Sequence, residues 1–456
     1  MAEHSVTVEK TLLALLDGKK YPALKDILVT MNPADIAAVF EELDEARTPL
    51  LFRLLPKELA AETFVEMEPE LQELLIKGFS DSELREVVEE LYVDDAADLV
   101  EEMPANVVKR ILAQADPQMR REINEILRYP ENSAGSIMTT EYVSLRAAMT
   151  VEEAITRIRR TGVDKETIYT CYVTEGRKLL GLVTVKDLLL TADDDKRIGD
   201  IMDVNVISVN TLTDQEEVAQ MLSKYNFLAL PVVDNENRMV GIITFDDAMD
   251  VMEDEATEDI EIMAGITPSD KTYLRSGAWD LFKHRIPWLM LLMVSATFTG
   301  KIITHFQNVL SSSAGVGVAL TACIPMLMDT GGNCGSQAST LTIRGLALGE
   351  IEIKDIFRVL WREIRVALLL GVVLAVLNFC RIAFLEHYTT SVALVVSAAM
   401  FCTIVIAKAI GCTLPILAKS VHLDPALMAS PLITTIVDAA SLTILFTIAT
   451  KLLNIG

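Results

Sequence analysis

Three patterns of hydrophobic and polar positions follow one another along the chain, and each predicts a different kind of structure. Residues 1–130 place apolar side chains at helical spacing with acidic residues between them, which predicts short amphipathic helices. Beyond residue 134, short β-branched runs alternate with helical segments, a pattern typical of mixed α/β structure. Beyond residue 284 the apolar runs reach the length of a membrane-spanning helix, about 20 residues.

The first pattern predicts an all-α, superhelical N-domain over residues 1–130. The segments DIAAVFEEL, ELAAETFVEM, ELREVVEEL and DAADLVEEM share one arrangement, and recurrence of such a unit is typical of a small helical solenoid. An ordinary helical bundle with solvated acidic faces fits the same residues. Asp94 and Asp98 share one helix face, where like charges repel unless a cation or a partner intervenes.

The second pattern is an internal repeat, predicted to form one α/β region over residues 131–252. The segment from Gly181 to Asp187 matches the segment from Gly241 to Asp247, and SIMT at 136–139 is echoed by DIMD at 200–203. This repeat resembles a tandem pair of CBS domains. Some CBS pairs bind adenine nucleotides, and the resemblance implies a nucleotide site at Asp187 and Thr184. The alternative is that these two residues only cap the helix that follows them.

Charge is distributed unevenly between the two ends of the chain. The 65 acidic and 40 basic residues give a formal net charge of −25. Residues 284–456 hold eight of the acids and eleven of the bases, so residues 1–283 carry −28. Such acidity argues against nucleic acid as a partner, because the phosphates would be repelled. It is compatible with cation binding, or with solubility alone.

A dense acidic stretch, residues 253–283, connects the two parts. Together with the residues just before it, this stretch carries nine acids within 16 positions, from Asp246 to Glu261, while methionine and aliphatic residues maintain an apolar set among them. Same-sign neighbours at helical spacing are destabilising, and divalent cations with oxygen ligands would relieve that repulsion. The alternative is an exposed acidic linker. We predict an acidic connecting helix that leads into the membrane part.

Five apolar segments of spanning length predict an all-α, five-helix transmembrane domain over residues 284–456. Basic residues gather before the first segment, between the second and third, and between the fourth and fifth; because positive charge marks the cytoplasmic side, the N-terminus is predicted inside and the C-terminus on the outer side of the cell membrane. Arg381 is the main exception. The five segments are 286–306, 315–343, 364–386, 391–417 and 430–453.

Polar residues inside these apolar segments are the candidate functional residues. Asp438 lies in SPLITTIVDAASLTILF, and a carboxylate at that depth costs several kcal/mol unless it serves a cation or a proton, or reaches water at a helix end. The second segment is interrupted by DTGGNCGSQ at 329–337, and its glycines are compatible with close helix packing. Packing does not explain Asn333 and Gln337, so we predict one hydrated path lined by these two residues and Asp438.

Enzymatic chemistry is not expected. Asp329-Thr330-Gly331 superficially matches an aspartic-protease triplet, but that chemistry needs two carboxylates that share a proton, and no second triplet is present. HExxH and GxSxG motifs are also absent from the sequence.

The order of these domains closely resembles the MgtE family of magnesium channels. The motifs that match are Pro325 with GGNCGSQAS in the second segment, and DPALMASPLITTIVDAASL leading through the fifth. The resemblance implies a homodimer with one central pore, in which Asp438 of each subunit binds hydrated Mg²⁺. It also implies that the pore lining includes Gly331, Gly332 and Ser430, the last at a position where some members have asparagine.

The resemblance further implies that cytosolic Mg²⁺ bridges the N-domain, the CBS pair and the connecting helix and so holds the gate shut, with ATP as a further modulator. The regulatory ligands carried over are Glu62, Asp94, Asp98, Asp214, Glu216, Asp247, Asp250, Glu255, Glu258 and Asp259. Two alternatives from other classes remain at this point. One is an ion-coupled secondary transporter of Mn²⁺ or Co²⁺, and the other is a nucleotide-sensing CBS signalling protein with a membrane anchor.

Overall fold

Short helices form the N-terminal region, as the helical spacing predicts. The computed structural model describes residues 11–44, 46–269, 273, 276–306 and 316–453, except for the side chains of Asp164 and Ser430. Residues 11–17 are helical. The helices that follow are α1 (Tyr21–Leu28), α2 (Pro33–Glu41), α3 (Thr48–Phe52), α4 (Lys57–Val65), α5 (Pro69–Gly78), α6 (Asp81–Val88), α7 (Val93–Glu102), α8 (Ala105–Gln114) and α9 (Met119–Ile126).

Local signals in the sequence begin these helices. Asn32 accepts a hydrogen bond from the backbone N–H of Ala34 with Pro33 in the first turn, and Ser80 forms a capping box with Glu83. Both arrangements satisfy N–H groups that a helix start leaves unpaired. The apolar faces then meet in one continuous core that contains Phe40 and Phe64.

Two three-stranded sheets follow, and they share one topology. In each sheet the first strand is parallel to the second, and the second is antiparallel to the third. The duplication predicted from the sequence is thus visible in the strand order. The elements are β1 (Tyr142–Leu145), α10 (Val151–Thr161), β2 (Thr167–Glu175), β3 (Lys178–Thr184), α11 (Val185–Leu190), β4 (Val209–Asn210), α12 (Gln215–Tyr225), β5 (Ala229–Val233) and β6 (Met239–Thr244).

The repeated glycine motif of each CBS module contacts the backbone of the other module. A Cβ on Gly181 would lie 2.7 Å from the carbonyl oxygen of Asp203, and a Cβ on Gly241 would lie 2.6 Å from that of Thr139. Leu182 bridges to Asp203, and Thr139 bridges to the residue after Gly241. Glycine is needed at these two crossings because any side chain would strike backbone.

Five long helices and one acidic helix are described in the chain beyond residue 244. The acidic helix α13 runs over Phe245–Met263, so it begins within the predicted CBS region and ends well before residue 283. The chain divides into two compact units along this helix, Met1–Met252 and Glu253–Gly456. The long helices are α14 (Ala278–His305), α15 (Val316–Ala347), α16 (Ile356–Cys380), α17 (Thr390–Ser420) and α18 (Ser430–Leu453).

Four of the described helices are long and apolar enough to cross a membrane: α14, α16, α17 and α18 with their adjoining turns. The helix α15 is also long enough, at 32 residues, but it contains the polar stretch at 329–337. The sequence suggests an interruption there, whereas α15 is one continuous helix through Pro325 and the glycines. The backbone stays paired within the helix, as a hydrocarbon environment requires.

The glycines of α15 allow its neighbours to approach closely. A Cβ on Gly335 would lie 2.7 Å from Ile433 of α18, and a Cβ on Gly411 of α17 would lie 2.2 Å from the carbonyl oxygen of Gly335. Small residues at helix contacts are the usual route to close packing in membranes. The contact between Gly335 and Gly411 therefore fixes α15 against α17.

We expect Gly411→Ala to destabilise the membrane helices by about 1–3 kcal/mol, the cost of an overpacked contact. The measurement is thermal unfolding of the detergent-purified protein. Gly300→Ala is the matched control, since among the described residues nothing beyond its own stretch of helix lies within 4 Å of an added Cβ. Equal melting temperatures for the two variants would contradict the close contact.

Candidate ion path and acidic regulatory interface

Asp438 lies on the face of α18 that packs against α15. Thr434 and Ser441, at helical spacing from Asp438 on that face, contact Gly332 and Gly331 of α15 respectively. The Asp438 carboxylate is half-buried and lies close enough to Asp329 for the two acids to interact electrostatically. The structure thus places a second carboxylate within electrostatic range of the one that the sequence singled out.

Another face of α15 carries exposed polar side chains. Asp329, Asn333 and Gln337 are all exposed, and their spacing of four residues places them in one line along the helix. We call these three residues the α15 polar stripe. Exposure of such groups to lipid would cost several kcal/mol. The stripe therefore requires water or another polar surface.

Gly331 and Gly332 do not belong to this stripe. Both are buried, and an added Cβ would meet Thr403, Val437 and Ser441 at Gly331 and Thr434 at Gly332. Within this chain the two glycines pack the helices together, and their contribution to the lining of the path stays a prediction. The predicted lining residue Ser430 lies outside the described side chains.

A buried ion pair, absent from the sequence predictions, links α16 and α17. The Nζ of Lys408 lies 3.3 Å from Oε2 of Glu363, with side chains only 5% and 14% exposed. Neither residue stood out in the sequence, although Lys408 interrupts the apolar run FCTIVIAKAIGC. A lysine at that position signals a buried acidic partner, since an unpaired charge would be very costly there.

Arg381, the exception in the charge distribution, is neutralised locally. Its guanidinium donates to Oδ1 of Asn378 at 3.1 Å and to the Met326 sulfur, and it pairs with Glu386. The π-helical turn at Arg381–Leu385 follows α16 and holds these groups at its end. A paired arginine contributes little net charge to its side of the membrane.

Carboxylates of the N-domain and the second CBS module converge within the first compact unit. Asp94 is 6% exposed, and its Oδ1 has no hydrogen-bond partner among the described residues. Burial, and then the Asp247 carboxylate, raise the pKa of Asp94 well above its usual value. The same two causes raise the pKa of Asp98 to about 8. The predicted residues Asp94, Asp98 and Asp247 are therefore brought together.

Further acids lie at this interface beyond the predicted ligands; Asp95 is a sequence neighbour of Asp94, whereas Glu141 and Glu166 were missed by sequence reasoning. Burial followed by Asp247 raises the pKa of Asp95 to about 7 and that of Glu166 to about 8. The Oε2 of Glu141 accepts a hydrogen bond from the backbone N–H of Val93 at 3.3 Å. We call Asp94, Asp95, Asp98, Glu141, Glu166 and Asp247 the acidic interface.

The acidic interface fits a hard divalent cation in its donor chemistry. Its donors are carboxylate oxygens, as Mg²⁺ prefers, and Asp94 offers a buried oxygen with no protein partner in the described parts of the chain. Among the described residues, no group of three or more histidine, cysteine or acidic side chains is close enough to hold a metal ion directly. Since Mg²⁺ usually keeps several waters, contact through its water shell is compatible with this arrangement.

Among the other predicted regulatory residues, the Asp250 charge helps, after burial and Asp246, to raise the pKa of Asp247 in the acidic interface. Glu62 is exposed on α4, and Asp214 caps α12 by accepting from the N–H of Glu216 at 2.9 Å. In the second compact unit, burial and then Asp424 raise the pKa of Asp259 to about 6. The remaining predicted residues lie on α12 and α13, namely Glu216, Glu255 and Glu258.

The end of α13 is joined firmly to the membrane helices. Ile262 and Met263 pack against Ile343 of α15 and against Ala426 and Ala429, which precede α18. The helix α13, which carries regulatory acids, therefore packs against α15 and against the segment that leads into α18.

Thr184 and Asp187 form the helix cap that the sequence offered as the alternative to a nucleotide site. Thr184 Oγ1 accepts from the N–H of Asp187 at 3.1 Å, and Asp187 Oδ2 accepts from the N–H of Thr184 at 3.1 Å. Thr244 and Asp247 repeat part of the arrangement at the start of α13.

Known family models match the same three parts of the chain: the N-terminal helices, the duplicated module and the membrane helices. The MgtE family model, described as a divalent cation transporter, matches residues 324–448. The model of the MgtE intracellular N domain matches residues 31–132. The CBS domain model matches 134–193 and 198–254, which confirms the predicted tandem pair.

Two solved structures resemble the soluble part of the chain. The cytosolic domain of the Mg²⁺ channel MgtE in complex with ATP has 40% identity and a TM-score of 0.51 over 53% of this chain and 99% of that one. The soluble part of a magnesium transporter has 32% identity and a TM-score of 0.52 over 55% of this chain and 99% of its own.

Relatives match over nearly the full length. The magnesium transporter MgtE of Thermus thermophilus is 38% identical over 95% of both chains. That of Bacillus subtilis is 32% identical over 98% of this chain and 97% of its own. The resemblance expected from the sequence is confirmed, and the chain belongs to the MgtE family.

Proposed function

We propose that the protein carries Mg²⁺ across the cell membrane along a hydrated path beside Asp438, and that cytosolic Mg²⁺ closes this path. The observation that carries the proposal is the α15 polar stripe, which runs along a membrane-length helix and reaches the carboxylate pair of Asp329 and Asp438. Relatives of the chain bear the name magnesium transporter.

The chemistry of the path suits a hydrated ion. Mg²⁺ loses its water reluctantly and binds proteins through one or two carboxylates, and conduction requires binding that is attractive but not tight. Asp438 attracts the ion through its water shell, while the amides of Asn333 and Gln337 hydrogen-bond those waters. The membrane potential drives uptake with about 2.3 kcal/mol per charge per 100 mV.

A homodimer completes the path in this proposal. The polar stripe is exposed in the single chain, and a two-fold axis would place the same stripe of a second chain opposite it. Water between the two stripes would then be shielded from lipid. Two copies of Asp438 near the axis double the attraction for a divalent ion.

The orientation follows from charge and from the position of α13. We propose five spans, with α15 as the second, the N-terminus in the cytoplasm and the C-terminus outside. Basic residues near the start of α14, at the end of α15 and along the first part of α16 support this orientation. The contact of Met263 with Ile343 supports it too, since it places the end of α15 beside the acidic helix.

Regulation in this proposal depends on the repulsion within the acidic interface. Without divalent cations, burial first and the Asp247 charge second raise the pKa values of Asp98 and Glu166, so that holding these groups charged at the interface is unfavourable. Cytosolic Mg²⁺ prefers the compact arrangement and shifts the population toward it. The change reaches the path through α13. ATP acts as a modulator at the CBS pair, since a related cytosolic domain binds it.

The experiment that tests transport is a flux assay on purified full-length protein in liposomes, with a divalent-sensitive dye inside. We expect Mg²⁺ uptake that follows the imposed membrane potential and stops when internal Mg²⁺ reaches the millimolar range. Current that reverses at the Nernst potential of Mg²⁺ indicates a channel. Absence of Mg²⁺ flux, with Na⁺- or proton-coupled Mn²⁺ or Co²⁺ flux instead, would overturn the proposal.

For the regulatory site, we expect half-inhibition of the double variant Asp94→Asn/Asp247→Asn to require an internal Mg²⁺ concentration about fivefold or more above that of the unaltered protein. A change of about fivefold corresponds to a typical coupling energy between two sites. Carboxamides keep the shape of the acids but bind Mg²⁺ poorly. Asp26→Asn, on an exposed position of α1, is the control. Inhibition that is unchanged in the double variant would remove these two residues from the sensor.

A further inference from the structure

The face of α15 that carries the polar stripe continues to a basic residue, Arg344. At about 100° per residue, Asp329, Asn333 and Gln337 fall within about 80° of the helix circumference, and Thr340 and Arg344 fall within the same arc. All five side chains are exposed. Arg344 lies roughly 10 Å beyond Gln337 along the axis. The line of polar groups therefore ends on a positive charge.

Arg344 has no polar partner for its charge in the described parts of the chain, unlike two of the other cations near it in the sequence or on neighbouring helices. No described residue forms an ion pair or a side-chain hydrogen bond with its guanidinium. By contrast, Lys408 pairs with Glu363 at 3.3 Å, and Lys419 donates to the carbonyl oxygen of Leu346 at 3.1 Å. The charge of Arg344 is thus not neutralised within the described parts of the chain.

The neighbours of Arg344 place it at the end of α15 that meets the acidic helix. Ile343 packs against Ile262 and Met263 of α13, and the helix ends at Ala347. In the proposed orientation this is the cytoplasmic mouth of the path.

We infer that Arg344 limits the rate at which Mg²⁺ passes the cytoplasmic mouth by repelling the ion as it leaves the stripe. The inference depends on the proposed function, because it concerns the same path. A unit charge about 10 Å from a divalent ion in water changes the local ion population roughly fourfold. Mutual repulsion of two such charges across a dimer would keep both side chains near the rim rather than blocking the axis.

The simpler alternative is that Arg344 extends to lipid phosphates, as arginines at helix ends often do. In that position its charge would be compensated and would not act on ions in the path. The two possibilities differ in salt dependence, because screening shortens the reach of a fixed charge from about 30 Å at 0.01 M to about 3 Å at 1 M ionic strength.

The test measures unitary inward Mg²⁺ current through purified full-length protein in excised proteoliposome patches. The cytoplasmic side is kept free of Mg²⁺ so that the path stays open, and its ionic strength is set with N-methylglucamine chloride. At about 0.01 M we expect Arg344→Gln to raise the current about two- to fourfold and Arg344→Glu to raise it further. Arg344→Lys should match the unaltered protein. At about 1 M the four currents should converge.

The control variant is Arg362→Gln, which removes an exposed charge from α16, a helix that packs chiefly against α17. It should leave the current unchanged at both ionic strengths. Equal currents for the Arg, Lys, Gln and Glu forms at low ionic strength would overturn the inference but leave the proposed function standing. A current increase that persists at about 1 M would also overturn it, since it would report altered packing and not charge. Absence of Mg²⁺ current in the unaltered protein would instead refute the proposed function.

Discussion

Replacing Asp438 with alanine is expected to reduce Mg²⁺ uptake to the level of protein-free liposomes. Even in bulk water, a carboxylate about 4 Å from a divalent ion stabilises it by about 2 kcal/mol, and by several times more near a protein surface. Loss of that attraction lowers occupancy of the path at least about 30-fold, and a dimer loses it twice. The measurement is dye-reported Mg²⁺ uptake under an imposed negative potential.

Two comparisons separate this effect from misfolding. Thr447→Ala alters an exposed hydroxyl on the same helix and should leave uptake unchanged. Asp438→Glu retains the charge with a longer side chain and should retain part of the flux. Both alanine variants should elute as the unaltered protein does on size exclusion. Normal uptake by Asp438→Ala would remove this residue from the path and with it the central part of the proposed function.

Lys408→Met is expected to destabilise the membrane helices by about 3–5 kcal/mol, the typical cost of leaving one member of a buried ion pair without its partner. Glu363 is 14% exposed, and its Oε2 lies 3.3 Å from the lysine nitrogen. Apart from this ion pair, that oxygen has no hydrogen-bond partner among the described residues. Its charge would remain in an apolar surrounding after the substitution.

The double variant Lys408→Met/Glu363→Gln tests the mechanism of this destabilisation. Because both charges are removed together, its stability should return to within about 1 kcal/mol of the unaltered protein, or exceed it. Unfolding of detergent-purified protein by denaturant measures the two single variants and the double variant in one thermodynamic cycle. Additive losses in the double variant would show that the two side chains act separately, which would contradict the pair.

Most of the architecture could be predicted because it depends on local patterns. Helical spacing identified the N-terminal helices, and the repeat of Gly181 and Gly241 identified the duplicated module. The polar stretch in the second apolar segment interrupts the apolar run but not the helix, since α15 is continuous. Glycine weakens a helix in water, but here the helix gains close contacts such as that of Gly335 with Gly411.

The candidate site was only partly predictable. Asp438 was identified because burying a carboxylate in an apolar run costs free energy whichever neighbouring segment the run packs against. The pairing of Lys408 with Glu363, and the approach of Asp94 to Asp247, join residues far apart in the sequence. The sequence placed Arg344 among the bases between the second and third segments, because its position in line with the stripe appears only once α15 is known to be an unbroken helix.

The sequence by itself determined which residues are too polar for their surroundings, because the cost of a charge in hydrocarbon or of like charges on one helix is a local property. It thereby indicated Asp438 and the acidic helices. Only the tertiary structure decided what compensates each of them. It turned Gly331 and Gly332 inward and Asn333 and Gln337 outward, and it paired Lys408 with Glu363. Compensation depends on distances between segments that the chain brings together only when it folds.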